Sequence, residues 1–463
     1  MPKQPVIAIF DIGKTNKKLL LFDQQYNLVY EESKKLDEIK DEDGFACEDV
    51  IELTKWVSNS FNSLLKDERF DIKAVNFSAY GASFVYLDEK GEVMLPLYNY
   101  LKPYPQKLQD QFYKTYGGES LMAKQTASPV LGNLNSGMQL YRLKYEKPEI
   151  FEKIKYALHL PQYISYILSS KFNTDITSIG SHTNLWNFQQ NKYHHWVKQE
   201  GIQDKLPAIL SCTKIADHIN NTIAIGAGLH DSSAALIPYL SSFQEPFILL
   251  STGTWCISLN PFNHSQLSDY ELDQDCLCYL SYEGRPVKAS RLFAGYEHEQ
   301  QVKRLADHFK KPLDYYTAMT PDAALLKKIK TSNNTLQKKE QGVMVGQSAF
   351  AKRNLDDFTT YEEAYHQLIA DIITQQTRST NIVLKGTGVK KIFVDGGFGN
   401  NPIYMRLLAL AFPEREVFAA SVTQASALGA ALAIHKSWNS LAPPTDMVKL
   451  KYYKIEDRLN TTA

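Results

Sequence analysis

The chain has 463 residues, more than one hydrophobic core readily organises, so two domains are expected. Lys plus Arg and Asp plus Glu stand at 51 each, which leaves no net field to attract nucleic acid or an anionic membrane. No apolar run approaches a membrane span, and Met1 to Pro5 leads straight into a strand without the pattern of a signal peptide. The five cysteines, Cys47, Cys212, Cys256, Cys276 and Cys278, are odd in number and scattered. Their spacing fits neither a zinc knuckle nor a redox motif, so free buried thiols and a cytosolic location are expected.

The first element is a hairpin. Apolar runs Val6–Phe10 and Leu19–Phe22 flank Asp11-Ile12-Gly13-Lys14-Thr15-Asn16-Lys17-Lys18. A carboxylate, a glycine, a hydroxyl and lysines at such a tip suit a nucleotide's phosphates and their metal, although the same residues also make ordinary surface turns. Residues 31–43 are rich in charge and read as exposed. Glu48 to Leu65 has helical periodicity, and Ile72–Ser78 is a strand running into Ala79-Tyr80-Gly81-Ala82-Ser83. Strands Phe84–Leu87 and Val93–Tyr98 follow. Residues 101–130 are aromatic, Pro-bearing and irregular, and read as a cap over a site rather than as core. Leu134–Tyr145 and Pro148–Leu168 read as helices. His194-His195 suits a surface better than a metal site, for no carboxylate pair or cysteine lies near it in the sequence.

Ile223 to Asp231 reads as a strand ending in a glycine-rich turn, followed by a small-residue helix from Ser232 to Leu240. Pro246 to Leu259 then repeats the opening hairpin, and Lys390 to Asn400 repeats the strand and glycine turn of Ile72 to Gly81. The expected organisation is residues 1–240 and 241–445 as two α/β domains, with 446–463 as a tail. Neither a Rossmann nor a P-loop fingerprint is present. Two domains that each offer a phosphate-type hairpin to a common cleft suggest a hinge-closing phosphotransferase.

These residues resemble the FGGY family of carbohydrate kinases, closest in style to its rhamnulokinase-like members. The likeness runs from Ile7 to about His435. Asp11 to Lys18 is similar to the family's Asp-x-Gly-Thr-Thr-Ser-x-Arg/Lys, with Lys14 and Asn16 as departures. Pro148-Glu149-Ile150-Phe151, Leu160-Pro161, Tyr163 and Thr174-Asp175 match a run in its first domain. Gly228-Leu229-His230-Asp231 resembles the turn that supplies the catalytic Asp. Leu250 to Trp255 resembles the second phosphate loop, and Asp395-Gly396-Gly397-Phe398-Gly399-Asn400 the adenosine motif. Gln424 to Ala431 resembles the C-terminal Glu-Ala-x-Ala-x-Gly-Ala-Ala segment, with Gln424 in place of the acid.

The resemblance implies an α/β fold of two actin-like, ribonuclease H-like ATPase domains with a cleft between them, and ATP and Mg²⁺ as cofactors. Asp231 would be the general base, with a helix N-cap as its bland alternative. Asp11 would orient Mg²⁺ through water. Gly13, Thr15, Asn16 and Lys18 would address phosphates from one domain, and Thr252, Gly253 and Thr254 from the other. Gly396, Gly397 and Asn400 would bound the adenosine pocket, where the side of Phe398 is left open. Tyr80, Gly81, Ala82, Asn99, His230 and Asp231 would face the sugar. The implied reaction is phosphorylation of a ketose, with L-rhamnulose ahead of L-fuculose, L-ribulose and D-xylulose. A polyol such as glycerol, and a non-catalytic nucleotide-gated sugar sensor or filament protein of the same fold, are the alternatives. Sugar and ATP are the expected partners, without nucleic acid or membrane. The oligomeric state is left open, a homodimer included.

Overall fold

A computed structural model describes residues 2–329 and 349–453, together with the backbone of 336–340 and 343–347. The chain forms two compact units. The first comprises Met1–Ser242, Cys278–Pro286 and Thr423–Met447; the second comprises Phe243–Leu277, Val287–Val422 and Val448–Ala463. By packing, therefore, neither unit is one continuous stretch.

In the first unit, β1 (Gln4–Ile12), β2 (Lys17–Asp23) and β3 (Leu28–Lys34) form an antiparallel meander. The strand β4 (Phe70–Ala79) lies parallel to β1. Beyond it come β5 (Ile215–Ile219) and β6 (Ile223–Gly226), giving the order β5-β6-β4-β1-β2-β3, while the short β7 (Leu229–His230) also pairs with β4. The Val50–Lys66 helix covers this sheet. Asp49 caps it, accepting from the N–H groups of Ile51 and Glu52, and Leu53, Trp56, Val57, Phe61 and Leu64 are buried at helical spacing. Trp56 meets Phe10 of β1 edge-on at 5.6 Å.

Several local expectations change. The stretch expected to be an irregular cap contains helices Gln106–Thr115 and Glu119–Thr126. Its aromatics are core: Phe112 is fully buried, 5.0 Å from the rings of both Tyr141 and Trp196. The helix expected from Pro148 to Leu168 breaks into Pro148–Lys153, a strand Tyr156–His159 paired with Phe84–Leu87, and a helix Leu160–Ser169 restarted by Pro161. A proline lacks the N–H that a helix interior needs but suits a first turn, so Pro161 starts a helix rather than continuing one and the break has a local cause. Val93–Tyr98 makes only isolated bridges, Leu87 with Val93 and Glu48 with Leu97. His194, expected on the surface, is instead buried: its ring meets Gln125 at 2.7 Å and its other nitrogen caps a short helix, which is a structural role.

In the second unit, β8 (Phe247–Thr252) and β9 (Cys256–Asn260) form the second hairpin. With β10 (Cys276–Leu280, of which Cys276 and Leu277 fall in this unit), β11 (Pro286–Leu292), β12 (Lys391–Gly396), β13 (Glu416–Ser421) and β14 (Lys449–Tyr453), the order is β10-β11-β9-β8-β12-β13-β14. From β11 to β14 the pairing is antiparallel, antiparallel, parallel, parallel, antiparallel. The first unit shows the same series from β3 to β5. The repeat inferred from element order is thus a repeat of sheet topology. Part of the expected tail is the edge strand β14; residues 454–463 lie outside the described ones.

The 423–447 segment, expected within a continuous second domain, packs in the first unit because its helix Ala425–Ala433 is made of small residues. A Cβ on Gly429 would stand 1.8 Å from the carbonyl oxygen of Ala234 in the Asp231–Ser242 helix. Gly429→Ala is therefore expected to overpack the pair at a cost of about 1–3 kcal/mol. A lowered melting temperature by calorimetry checks this; an unchanged one would show that the helices have room.

Candidate active site

The hairpin tip is tight, with the Gly13 N–H donating to the Asn16 carbonyl at 2.9 Å and Thr15 and Asn16 exposed. Asp11 pairs across to Lys18 on β2 and sits beside Ser78 of β4. Ser78 in turn pairs with Leu229, two residues before Asp231. Sheet register thus brings Asp11 and Asp231 to the same end of three adjacent strands. Burial, and then the charge of Asp231, push the Asp11 carboxyl up to about 7, against the opposing pull of Ser78 and Lys18.

Lys18 is held rather than free to swing. Its ammonium lies 3.0 Å from Glu31 and donates to Gln424 Oε1 at 3.2 Å, while the Gln424 amide donates to Glu31 at 3.3 Å. An acid at position 424 would add a second carboxylate beside Glu31. The neutral Gln424 instead links the two sides of this ion pair. Lys14 pairs with Glu38 at 2.9 Å.

Asp231 opens its helix. Its Oδ1 accepts from the backbone and hydroxyl of Ser232, at 2.5 and 3.2 Å. A capping carboxylate reaches two or three residues on, and this one does not. Among the described residues no hydrogen bond reaches Oδ2, and the side chain is 34% exposed. The preceding turn is specified by Gly228: φ is +77° and a Cβ would lie 2.5 Å from the Pro161 carbonyl oxygen.

His230 is buried. Its Nε2 lies 3.1 Å from Ser181 Oγ and 3.5 Å from Asp231 Oδ1, and its Nδ1 has no partner among the described residues. Burial holds the imidazole below its usual pKa, hence neutral. Gly81 makes room for this ring, since a Cβ there would stand 2.6 Å from Nε2. Tyr80 is buried with its hydroxyl given to Glu48. Ala82 has φ +60° and its carbonyl accepts from Gln139 at 2.7 Å. The amide of Asn99 is spent on Ala46 O and Leu101 N. Tyr80, Gly81, Ala82 and His230 therefore gather in one place, where Tyr80 and Gly81 shape the site more than they offer groups to a ligand. Tyr100, which no motif singles out, joins the site. It meets Tyr80 edge-on at 6.1 Å, and the charges of Asp231 and Glu48 help raise its pKa after burial.

In the second unit, a cavity of about 480 Å³ is lined by Thr252, Gly253, Gly295, His298, Tyr316, Phe398, Asn400 and neighbours, none of them charged at neutral pH. That size and chemistry suit a nucleoside. Phe398 lines it, stacked on Tyr404 at 4.4 Å and edge-on to His298. Burial pushes His298 down to about 4, so it is neutral too. The Thr252 hydroxyl is committed: it donates to Asp395 O at 2.7 Å and accepts from Phe398 N at 3.0 Å. Gly253 and Thr254 stay exposed at the turn. Gly396 has φ +93° and adjoins the Thr252 carbonyl, while Gly397 and Asn400 are exposed beside it. Gly295, His298 and Tyr316 were missed because they carry no motif. Gly295 is needed because a Cβ there would lie 1.8 Å from Gly253 O.

Among the described residues no group of three or more His, Cys, Asp or Glu gathers as a metal cage. Mg²⁺ does not need one, since it keeps its waters and binds through one or two carboxylates. Two crowded carboxylates beside a lysine already engaged with Glu31 fit such an ion.

Residues 6–236 match the N-terminal domain of the FGGY family of carbohydrate kinases, and residues 244–443 match its C-terminal domain. The chain belongs to this family. L-fuculokinase of Escherichia coli (strain K12) is 23% identical over 279 residues, 55% of this chain and 56% of that protein. Rhamnulokinase of Mannheimia succiniciproducens is 22% identical over 271 residues, 54% of each. The matched region is thus about half the length of these curated relatives. The crystal structure of gluconate kinase from Lactobacillus acidophilus aligns with a TM-score of 0.80 at 18% identity, covering 97% of this chain and 94% of that one, which shows a shared fold. No helix among the described residues is long and apolar enough to cross a membrane.

An acid whose folded pKa is raised opposes folding once it ionises. For Asp11 this penalty is absent well below 3.8, grows as pH rises, and is complete above about 7. Asp11→Asn should therefore melt higher than the wild type at pH 8 and converge with it near pH 4. Thermal melts across that range check this, and a variant less stable at pH 8 would contradict it.

Proposed function

We propose that this chain transfers the γ-phosphate of ATP to a hydroxyl of a neutral ketose, with L-rhamnulose first among the candidates. The observation that carries the reading is the Asp11–Asp231 pair: one crowded carboxylate beside a phosphate-type hairpin, the other with an oxygen left open to solvent. Asp231 would take the proton of the attacking hydroxyl. Asp11 would hold Mg²⁺ through water, which would supply neutralising charge to the phosphates. The amides of Lys14, Thr15 and Asn16 and the Lys18 ammonium would face phosphate in the first unit, and the Gly253–Thr254 turn, through Thr254, would do so in the second. The cavity floored by Phe398 takes the adenosine.

A neutral sugar is favoured over a sugar acid by the pairing of the lysines in the first hairpin. Lys14, Lys17 and Lys18 are paired with Glu38, Glu48 and Glu31. Lys14 and Lys17 are thereby committed and Lys18 is kept for phosphate, which leaves no lysine of this hairpin for a substrate carboxylate. The ranking within ketoses rests on the His230-Asp231 pair and the Ser251–Trp255 loop, with L-fuculose, L-ribulose, D-xylulose and polyols behind.

The test is coupled ADP release with Mg²⁺ across ketoses, polyols, aldoses and gluconate. Turnover on one neutral ketose is expected, and Asp231→Asn should lower its kcat by about 10²- to 10⁴-fold, the usual contribution of a general base, with little change in the KM for ATP. Full activity in that variant would remove Asp231 from the reaction. Bound ATP without turnover on any sugar would favour the nucleotide-gated sensor.

A further inference from the structure

Behind the hairpin tip lies a buried charged bridge that the chemistry above does not use. Glu48 is 3% exposed and Lys17, the first residue of β2, is 2% exposed. The Lys17 ammonium forms an ion pair with one Glu48 oxygen and donates at 3.1 Å to the Lys14 carbonyl at the tip. The other Glu48 oxygen accepts the Tyr80 hydroxyl. The Tyr80 backbone N–H donates at 3.1 Å to Ile12 O, at the foot of the same hairpin. Tyr80 is thereby tied to the hairpin twice, by backbone and by side chain. It leads directly into Gly81, which meets the His230 ring, and its own ring meets Tyr100.

Stability alone does not explain such a bridge. Taking two charges out of water is unfavourable, and a well-packed apolar pair of the same volume commonly holds a fold as well or better. What the charged version adds is direction. Each Glu48 oxygen has its own partner, and the cation has a second one at the tip. The tip cannot shift without moving Tyr80, nor can the turn shift without disturbing the tip.

We propose that Lys17 and Glu48 are positioning residues that couple the phosphate hairpin to the Tyr80–Ala82 turn, so that each substrate tightens the binding of the other. The kinetic readout rests on the kinase reading. Such coupling is reciprocal, so damage at one end must appear at the other.

Tyr80→Phe removes a single hydroxyl from the turn and keeps its ring. It should raise the KM for ATP, not only that for the sugar, by about fivefold or more, the lower end of ordinary coupling. Lys17→Met, at the hairpin, should raise the KM for the sugar. The double variant should be no worse than the poorer single one, because both cut the same bridge. A merely structural role would lower the yield of active enzyme and leave both KM values unchanged, and that result overturns the proposal. If Lys17→Met does not fold, Tyr80→Phe decides alone. If the wild type turns over no sugar, the kinase reading has failed, and calorimetry with ATP and Mg²⁺ on wild type and Tyr80→Phe then decides: weaker binding in the variant supports the coupling, and equal binding overturns it.

Discussion

The first unit depends on one buried amide. Asn76 lies fully buried in β4, and its two ends face different elements. Its oxygen accepts from the Gly228 N–H at 3.1 Å, in the turn that delivers Asp231. Its nitrogen donates at 2.8 Å to the Ala430 carbonyl, in the helix that begins after Gln424. Gly226 lacks a Cβ where one would lie 2.1 Å from the Asn76 oxygen. An unsatisfied buried amide costs far more than a satisfied one gains, so both partners must be in place together. The general-base candidate and the residue that restrains Lys18 are thereby fixed to one side chain.

Around that anchor, charge is arranged so that little of it is unassigned. Each lysine of the hairpin has its own glutamate, which leaves the Asp11–Asp231 repulsion only partly offset, by Ser78 and Lys18. Burial raises the energy of a second negative charge there, and a cation relieves it. The cavity beside Phe398 in the second unit is the opposite case, lined by uncharged groups that include one neutral histidine ring, His298. One site is built to feel charge and the other to be indifferent to it.

What could be read from the sequence was what local rules control. The hairpin at Asp11, its copy at Thr252 and the glycine turns at Gly228 and Gly396 announce themselves through strand periodicity and positive φ. The helix from Val50 was legible through its stripe, although its start depended on Asp49 being free to cap while Glu48 turned inward. Residues whose role comes from a distant partner were not legible. Glu48 meets Tyr80 across 32 positions, and Gly295 is needed only because Gly253 lies against it. The aromatics near Phe112 were misread because clustered rings look alike whether they line a ligand or a core; only Tyr141 and Trp196, found elsewhere in the chain, decide between the two.

The return of residues 423–447 to the first unit has a consequence for how the protein is made. A nascent chain released up to Ser242 has every strand of the first sheet, yet lacks the helix that satisfies Asn76 and lies along Ala234. That surface waits, with a polar group unmet, while almost all of the second unit is synthesised. The edge strand β14 is later still, for it leaves the ribosome only after the chain has gone back. Neither unit is therefore complete until the chain beyond Val448 has been made, and the two halves, alike in topology, cannot finish folding one after the other like beads on a string.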